Sequence, residues 1–340
     1  MYFDLTPPHH GGDLQEQQQQ SGQHPWLDLS SACNREPWPV PAPDPRCWYE
    51  LPSPERLFNA AQEYYGQRPI AVGAGTQQLI EILPPLLASQ DIGKRVMVPS
   101  MGYQEHAFCW QKWGYQLHQY QYPESLLHND WDVAVIINPN NPGGLLLGQD
   151  FRQPLFQYLQ NAYQQGEQRW LIIDEAFIDV YPQHSWLTQP LPANCILLRS
   201  VGKFFGLPGA RIGFAFGDPS LQQPLRVLTG PWPIATPAIE IVSAALLDRE
   251  WQARAYESLR VRNQRFQREI APLVCSLLDA PTCQHTPLFY SWHTTPAKAK
   301  WLTAALREQG IHIRLGSDWV RISLPADAEF SHLQTALSAV

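Results

Sequence analysis

Residues 200–211 read Ser200-Val201-Gly202-Lys203-Phe204-Phe205-Gly206-Leu207-Pro208-Gly209-Ala210-Arg211 and set a lysine between a serine-containing turn and a glycine-rich loop. Apolar runs flank this segment at 196–198 and 212–216, which puts Lys203 on a turn between two buried strands. An ammonium group is costly to keep charged in such a place. The chemistry suited to a lysine so placed is a Schiff base with an aldehyde cofactor. Ser200 and Arg211 add a hydroxyl and a guanidinium, a pair fitted to a phosphate. The alternative is a glycine-rich turn whose lysine points into water.

A lysine that carries a phosphorylated aldehyde needs a phosphate cradle, an acid for the ring nitrogen and an aromatic to stack on the ring. Each has a candidate at the C-terminal end of a short apolar run, where open α/β sheets bind their ligands. Gly73-Ala74-Gly75-Thr76-Gln77-Gln78 follows the run 70–72 and opens a stretch with helical apolar spacing at 79, 82, 83, 86 and 87. Thr76 reads as an N-cap, and the first amides of that helix suit a phosphate. Pro84 and Pro85 interrupt the pattern, so the helix is expected to be two turns long or kinked. Asp174 closes the run 170–173 and begins Asp174-Glu175-Ala176-Phe177. It is either an ion-pair partner for a protonated pyridine nitrogen or a helix-capping aspartate. Asn141 lies in Asn138-Pro139-Asn140-Asn141-Pro142-Gly143-Gly144 after the run 133–137 and could donate to a phenolic oxygen, although these residues also make ordinary turns. Tyr103 is the stacking candidate, with a place in the core as its other reading. Arg314 and Arg321 stand one in each of two apolar strands near the C-terminus. They suit a doubly anionic substrate, with surface salt bridges as the competing explanation.

The elements that must position these residues are legible around them. Short, partly β-branched runs at 95–98, 133–137, 170–173 and 196–198 fit buried parallel strands. Helical patterns at 103–113 and 150–165 lie between them, and the alternation indicates an α/β layer with a mainly parallel sheet. A long helical pattern covers 238–247 and 251–270, followed by a βαβ-like tail with strands near 288–292 and 320–324 and a helix over 297–309. Three regions follow: an N-terminal segment 1–48 packing on the small domain or a partner subunit, a large domain 49–237, and a small domain 238–340. Residues 15–23 are glutamine-rich with no apolar face, the composition of a mobile insert or a frayed helix.

Bulk properties narrow the class. The chain of 340 residues is 44% apolar and 16% charged, which is enzyme-sized and able to bury a substantial core. Its net charge of -7 argues against a nucleic-acid or anionic-membrane surface. No stretch approaches a membrane-spanning length, and the N-terminus lacks a secretory pattern. Cysteines 33, 47, 109, 195, 275 and 283 form no C-x-x-C pair and read as reduced thiols of a cytoplasmic protein, with no metal site expected.

The constellation resembles the pyridoxal-phosphate enzymes of fold type I, in the class I/II aminotransferase branch. Gly75-Thr76-Gln77, Asn138 to Gly143, Asp174 to Phe177, Ser200-Val201-Gly202-Lys203 with Arg211, and Arg321 carry the likeness in the family's order. Within the branch the chain is similar to the subgroup that decarboxylates O-phosphothreonine in cobalamin biosynthesis. The features are His10-Gly11-Gly12 with Trp26 to Ser30 and Asn34, Gly202 with Phe204-Phe205, and Tyr103-Gln104-Glu105-His106-Ala107 ahead of Trp110. The resemblance implies a large domain with a mainly parallel seven-stranded sheet, a smaller C-terminal α/β domain, pyridoxal 5'-phosphate as cofactor and a homodimer. It implies that Lys203 holds the cofactor, Asp174 faces its ring nitrogen and Asn141 its phenolic oxygen. Gly75, Thr76, Gln77, Ser200 and Arg211 would surround the phosphate, with Tyr49 reaching it from the second subunit. His10, Gly11, Asn34, Asn141, Arg314 and Arg321 would contact a phosphorylated amino acid. Transamination of a phosphorylated amine such as histidinol phosphate is the rival activity. Phe177 departs from a tyrosine common in the branch, and Arg35 from a proline expected after the asparagine.

Overall fold

Four of the short apolar runs become strands that are buried along their whole length, and this sets the layout of the larger unit. The computed structural model describes residues 5–8, 11–12, 26–90 and 92–340. In chain order the first elements are β1 (Leu27–Leu29), α1 (Glu55–Tyr65), β2 (Ala71–Ala74), α2 (Gly75–Ala88), β3 (Arg95–Pro99), α3 (Gln104–Lys112) and β4 (Gln116–Tyr120). Then come β5 (Val133–Ile137), α4 (Gln149–Gln164), β6 (Trp170–Asp174), β7 (Cys195–Ser200), β8 (Ile212–Phe216), α5 (Gln222–Thr229) and α6 (Thr236–Leu247). The last are α7 (Arg249–Glu269), α8 (Ala271–Leu278), β9 (Gln284–Thr286), β10 (Phe289–His293), α9 (Pro296–Glu308), β11 (Ile311–Leu315), β12 (Trp319–Ser323) and α10 (Phe330–Ser338).

The described chain divides into two units, one built from Trp38–Asn141 and Leu145–Arg249, the other from residues 26–37, Pro142–Gly144 and Glu250–Val340. The first unit holds a seven-stranded sheet in the order β2-β8-β7-β6-β5-β3-β4. Only β8 runs against the rest, pairing antiparallel with β2 and β7. The parallel strands therefore end on one edge, and the mainly parallel sheet expected from the alternating pattern is present. Leu79, Ile80, Leu83, Leu86 and Leu87 of α2 pack on Val96, Val133, Ile172 and Ile196 of the sheet. That apolar face carries α2 through Pro84 and Pro85 for 14 residues, so of the two alternatives, a two-turn helix or a kinked one, the short helix is not formed. The helix begins at Gly75 with Ala74 as its cap, so Thr76 sits in the first turn and is not the N-cap.

The second unit is a five-stranded sheet in the order β1-β11-β12-β10-β9. β1 pairs parallel with β11, and β12 pairs antiparallel with β11 and β10. β10, α9 and β11 thus form a βαβ unit split by β12. The boundary between the units falls after Arg249 rather than 237, because α6 packs on α1 and Thr236 Oγ1 donates to Glu50 O at 3.0 Å. Among the described residues no helix is long and apolar enough to cross a membrane.

The contact between α2 and β8 is close enough to need glycine. A Cβ on Gly213 would lie 2.4 Å from Thr76 N, whereas one on Gly209 would meet nothing within 4 Å. Gly213→Ala should destabilise the protein by about 1–3 kcal/mol through overpacking, and Gly209→Ala should leave it near neutral. Urea unfolding of the two variants checks this contrast, and equal midpoints would refute the close approach.

Candidate active site

Because β2, β3, β5, β6 and β7 are parallel, the residues that follow them gather at one sheet edge, where open α/β folds place their ligands. Gly75, Thr76, Gln77, Tyr103, Asn141, Asp174, Ser200, Lys203 and Arg211 all line one cavity of about 120 Å³ there. Ile137, Phe177, Leu207 and Ile212 supply its apolar walls.

Asp174 ends β6 and is only 3% exposed. A carboxylate so placed is costly unless it is hydrogen-bonded. Its Oδ1 accepts from the Ala176 amide at 3.0 Å, and its Oδ2 lies 3.0 Å from His106 Nε2. This bonding to both oxygens fixes the orientation of the group. His106 is 1% exposed and comes from α3, one turn beyond Tyr103. Its role was not assigned from sequence, although the signal was present: residues three apart share a helix face, so a cavity-lining Tyr103 implies an inward His106.

The end of the cavity expected to take a phosphate is built from backbone. Gly75 adopts φ of +74° and its amide donates to Arg211 O at 3.0 Å. A Cβ there would come 2.7 Å from Arg211 Nη2, so only glycine admits the guanidinium. Arg211 itself has φ of +52°. Its Nη1 donates to Pro208 O at 3.3 Å. Ser200, buried at the end of β7, accepts from the Gly202 amide at 3.3 Å through Oγ. The N-cap Ala74 offers no side-chain cap to the first turn of α2, and Gln78 Oε1 accepts from the Ala74 amide at 2.7 Å. The Thr76 and Gln77 amides at that helix start are suited to an anion. The Gln77 side chain is committed elsewhere: Oε1 accepts from Tyr103 OH at 3.0 Å, and Nε2 donates to Glu105 at 2.6 Å. Burial first, then the charges of Glu105 and Asp174, push the Tyr103 phenol well above its ordinary range. Tyr103 therefore stays a neutral donor.

Lys203 lies on the turn between β7 and β8 as expected, its Nζ 5.3 Å from the centroid of the Phe177 ring. Asn141 is held by its loop, where Asn140 N donates to Leu145 O at 2.8 Å and Asn140 Nδ2 to Met101 O at 3.0 Å. Tyr49 is not part of the cavity wall and is 87% exposed.

The remaining candidates belong to the second unit. Arg314 and Arg321 are direct cross-strand partners in β11 and β12. Arg321 is buried, donates to Ser30 O at 2.6 Å and lies 5.3 Å from the Phe289 ring centroid. Burial first, and Arg314 beside it, lower Arg321 to about 10, which still leaves it charged at neutral pH. Asn34 is buried and its Oδ1 accepts from Arg262 at 2.9 Å. Arg35, at the position expected to be proline, pairs with Glu329 through Nε at 2.6 Å and Nη2 at 2.5 Å. Gly11 faces Ser30, whose carbonyl oxygen would sit 2.9 Å from an added Cβ. His10 lies outside the described residues.

Residues 53–340 match the family described as aminotransferase class I and II. The chain belongs to that family. Among its relatives is a threonine-phosphate decarboxylase of Pseudomonas aeruginosa, 37% identical over 71% of each chain. Another from Sinorhizobium sp. is 33% identical over 74% of each chain. The fold is also that of histidinol-phosphate aminotransferase from Sinorhizobium meliloti, solved in complex with pyridoxal-5'-phosphate. The TM-score is 0.77 at 19% identity, over 99% of this chain and 97% of that one. Pyridoxal 5'-phosphate is the cofactor of this family member, and the cavity fits it. The glycine-only approach of Arg211 to Gly75, the start of α2 and the fixed buried carboxylate of Asp174 suit a phosphate at one end and a protonated ring nitrogen at the other.

Replacing His106 by leucine leaves Asp174 Oδ2 without its imidazole. That should cost about 1–3 kcal/mol of stability, the penalty of a buried acceptor left unmade. Chemical denaturation of the cofactor-free protein measures it, and an unchanged midpoint would mean that the pair does not hold Asp174.

Proposed function

We propose that the protein removes the carboxylate of L-threonine O-3-phosphate as CO2, giving (R)-1-amino-2-propanol O-2-phosphate, a cytoplasmic step of cobalamin biosynthesis. The observation that carries this choice within the family is the identity of 37% and 33% to two threonine-phosphate decarboxylases over 71% and 74% of the chain. The in-register pair Arg314 and Arg321 supports a substrate with two anionic groups. Two guanidiniums side by side on adjacent strands suit a carboxylate or a phosphate.

When bound, pyridoxal 5'-phosphate supplies an aldehyde that condenses with amines and a ring that takes up the electron pair of a bond broken at the amino acid's α carbon. Lys203 Nζ would hold it, Ser200, Arg211 and the start of α2 would grip its phosphate, and Asn141 would donate to its phenolic oxygen. Tyr103 would lie against the ring. Asp174, its carboxylate fixed by His106 and the Ala176 amide, would keep a proton on the ring nitrogen. Lys203 Nζ is the group to return a proton to the α carbon that has lost CO2, which balances the reaction. Phe177 offers no hydroxyl, so the phenolic oxygen would have Asn141 alone of these two. The working unit in this reading is a homodimer in which Tyr49 serves the partner's phosphate, and its 87% exposure suits a group acting across an interface.

Transamination of a phosphorylated amine such as histidinol phosphate is the second reading, favoured by the family match over residues 53–340. It uses the same groups but breaks the Cα–H bond. The purified protein should release CO2 from O-phosphothreonine and should not aminate a keto acid at the expense of histidinol phosphate. The opposite pattern would replace the first reading by the second. Lys203→Ala should lower CO2 release by about a thousandfold or more, as loss of a covalent catalyst does. Full turnover in that variant would remove Lys203 from the mechanism.

A further inference from the structure

Behind the cavity wall, the ends of β6 and β7 share a buried ion cluster that none of the roles above uses. Glu175 directly follows Asp174, and Arg199 directly precedes Ser200. Side chains alternate along an extended strand, so these neighbours turn away from the face that Asp174 and Ser200 present. Arg199, Glu175 and Asp179 are 3%, 0% and 1% exposed. Arg199 Nη1 donates to Glu175 Oε2 at 3.1 Å and to Ser185 Oγ at 2.9 Å, and its Nη2 bonds to Asp179. The guanidinium carbon lies 4.4 Å from the Tyr65 ring centroid. Glu175 also accepts from Ser185 Oγ at 2.6 Å and from the Trp186 amide at 2.7 Å, while its own amide donates to Leu198 O at 2.9 Å.

A buried cluster of this kind adds little net stability compared with well-packed apolar side chains, because desolvation offsets the attraction. What it does supply is geometry. A guanidinium fork that reaches two carboxylates from different chain segments permits few arrangements of those segments. Here it ties the end of β7 to the end of β6 and to the turns that follow β6. The two residues next to the tie are the acid for the ring nitrogen and a hydroxyl for the phosphate.

We propose that Arg199, Glu175 and Asp179 are positioning residues that set the spacing between Asp174 and Ser200, and so between the two ends of the cofactor site. The proposal rests on the assignment of the cofactor to that cavity. Its test is an equilibrium titration of the cofactor-free protein with pyridoxal 5'-phosphate, read by absorbance, beside thermal unfolding of the same cofactor-free samples. The variants are Glu175→Gln/Asp179→Asn/Arg199→Met, which removes the cluster's three charges together, and Arg199→Lys, which keeps the cation but not the fork.

The triple variant should melt within about 5 °C of the parent, since neutral replacement of a buried ion cluster costs little. Its cofactor Kd should rise about tenfold or more, the scale seen when partners that orient a bound group's ligands are removed. Arg199→Lys should fall between the two. A Kd within about twofold of the parent in both variants, whatever their melting temperatures, would overturn the proposal. If the triple variant does not fold, Arg199→Lys alone decides by the same measure. Failure of the cofactor assignment looks different: the parent would then bind no cofactor, or Ser200→Ala would bind it as tightly as the parent.

Discussion

A carboxylate buried at the end of a central strand is the constraint from which the rest of the site follows. Asp174 is almost wholly buried, and an ionised group in such a place is tolerated only with partners fixed in advance. One oxygen takes the Ala176 amide, which the chain supplies by turning just after β6. The other needs a side chain from elsewhere, and His106 provides it. That requirement brings the N-terminal half of α3 against the end of β6. The same placement brings Tyr103 to the cavity wall one turn earlier, so one helix start positions two groups of the lining.

The other end of the cavity answers a different constraint, close approach of one backbone segment to another. Helix α2 has to start beside β8 with no side chain in between, which Gly75 and Gly213 allow. Arg211 accepts the strain of a left-handed backbone and brings its guanidinium to that helix start. Both ends are then rigid, and rigidity matters because a cofactor held at two points is bound well only if the distance between those points is right. The strand ends that carry Asp174 and Ser200 are neighbours in the sheet, which is the shortest path by which the fold can control that distance.

Much of this was legible because chemistry and chain direction coincide. The runs ending at Ile137, Ile173 and Leu198 are apolar and short, and the residues after them are the ones that line the cavity. Elements whose sequence does not advertise burial were missed. β4 reads Gln116-Leu117-His118-Gln119-Tyr120, an edge strand with three polar residues, and only its pairing with β3 makes it a strand. α1 follows a proline-rich stretch, and its buried Leu57, Ala60 and Ala61 face the core where it packs on α6. Pro84 and Pro85 suggested a two-turn or kinked α2, and tertiary burial of its leucine face outweighed the lost ladder bonds that favour the shorter helix. His106 and Arg199 were hidden for a related reason. Each has its meaning in a partner far away in sequence, Asp174 for one and Glu175 with Asp179 for the other.

Charge placement links these observations to the kind of ligand the chain takes. With a net charge of -7 the protein as a whole repels anions, so any affinity for a phosphate or carboxylate has to be local. The cations that line or flank the candidate sites are the groups available to attract one. In the first unit these are Lys203 and Arg211 beside the start of α2. In the second they are Arg314 and Arg321, paired across a ladder that like charges would ordinarily avoid. Arg321 remains ionised although its pKa is lowered to about 10 by burial and then by Arg314.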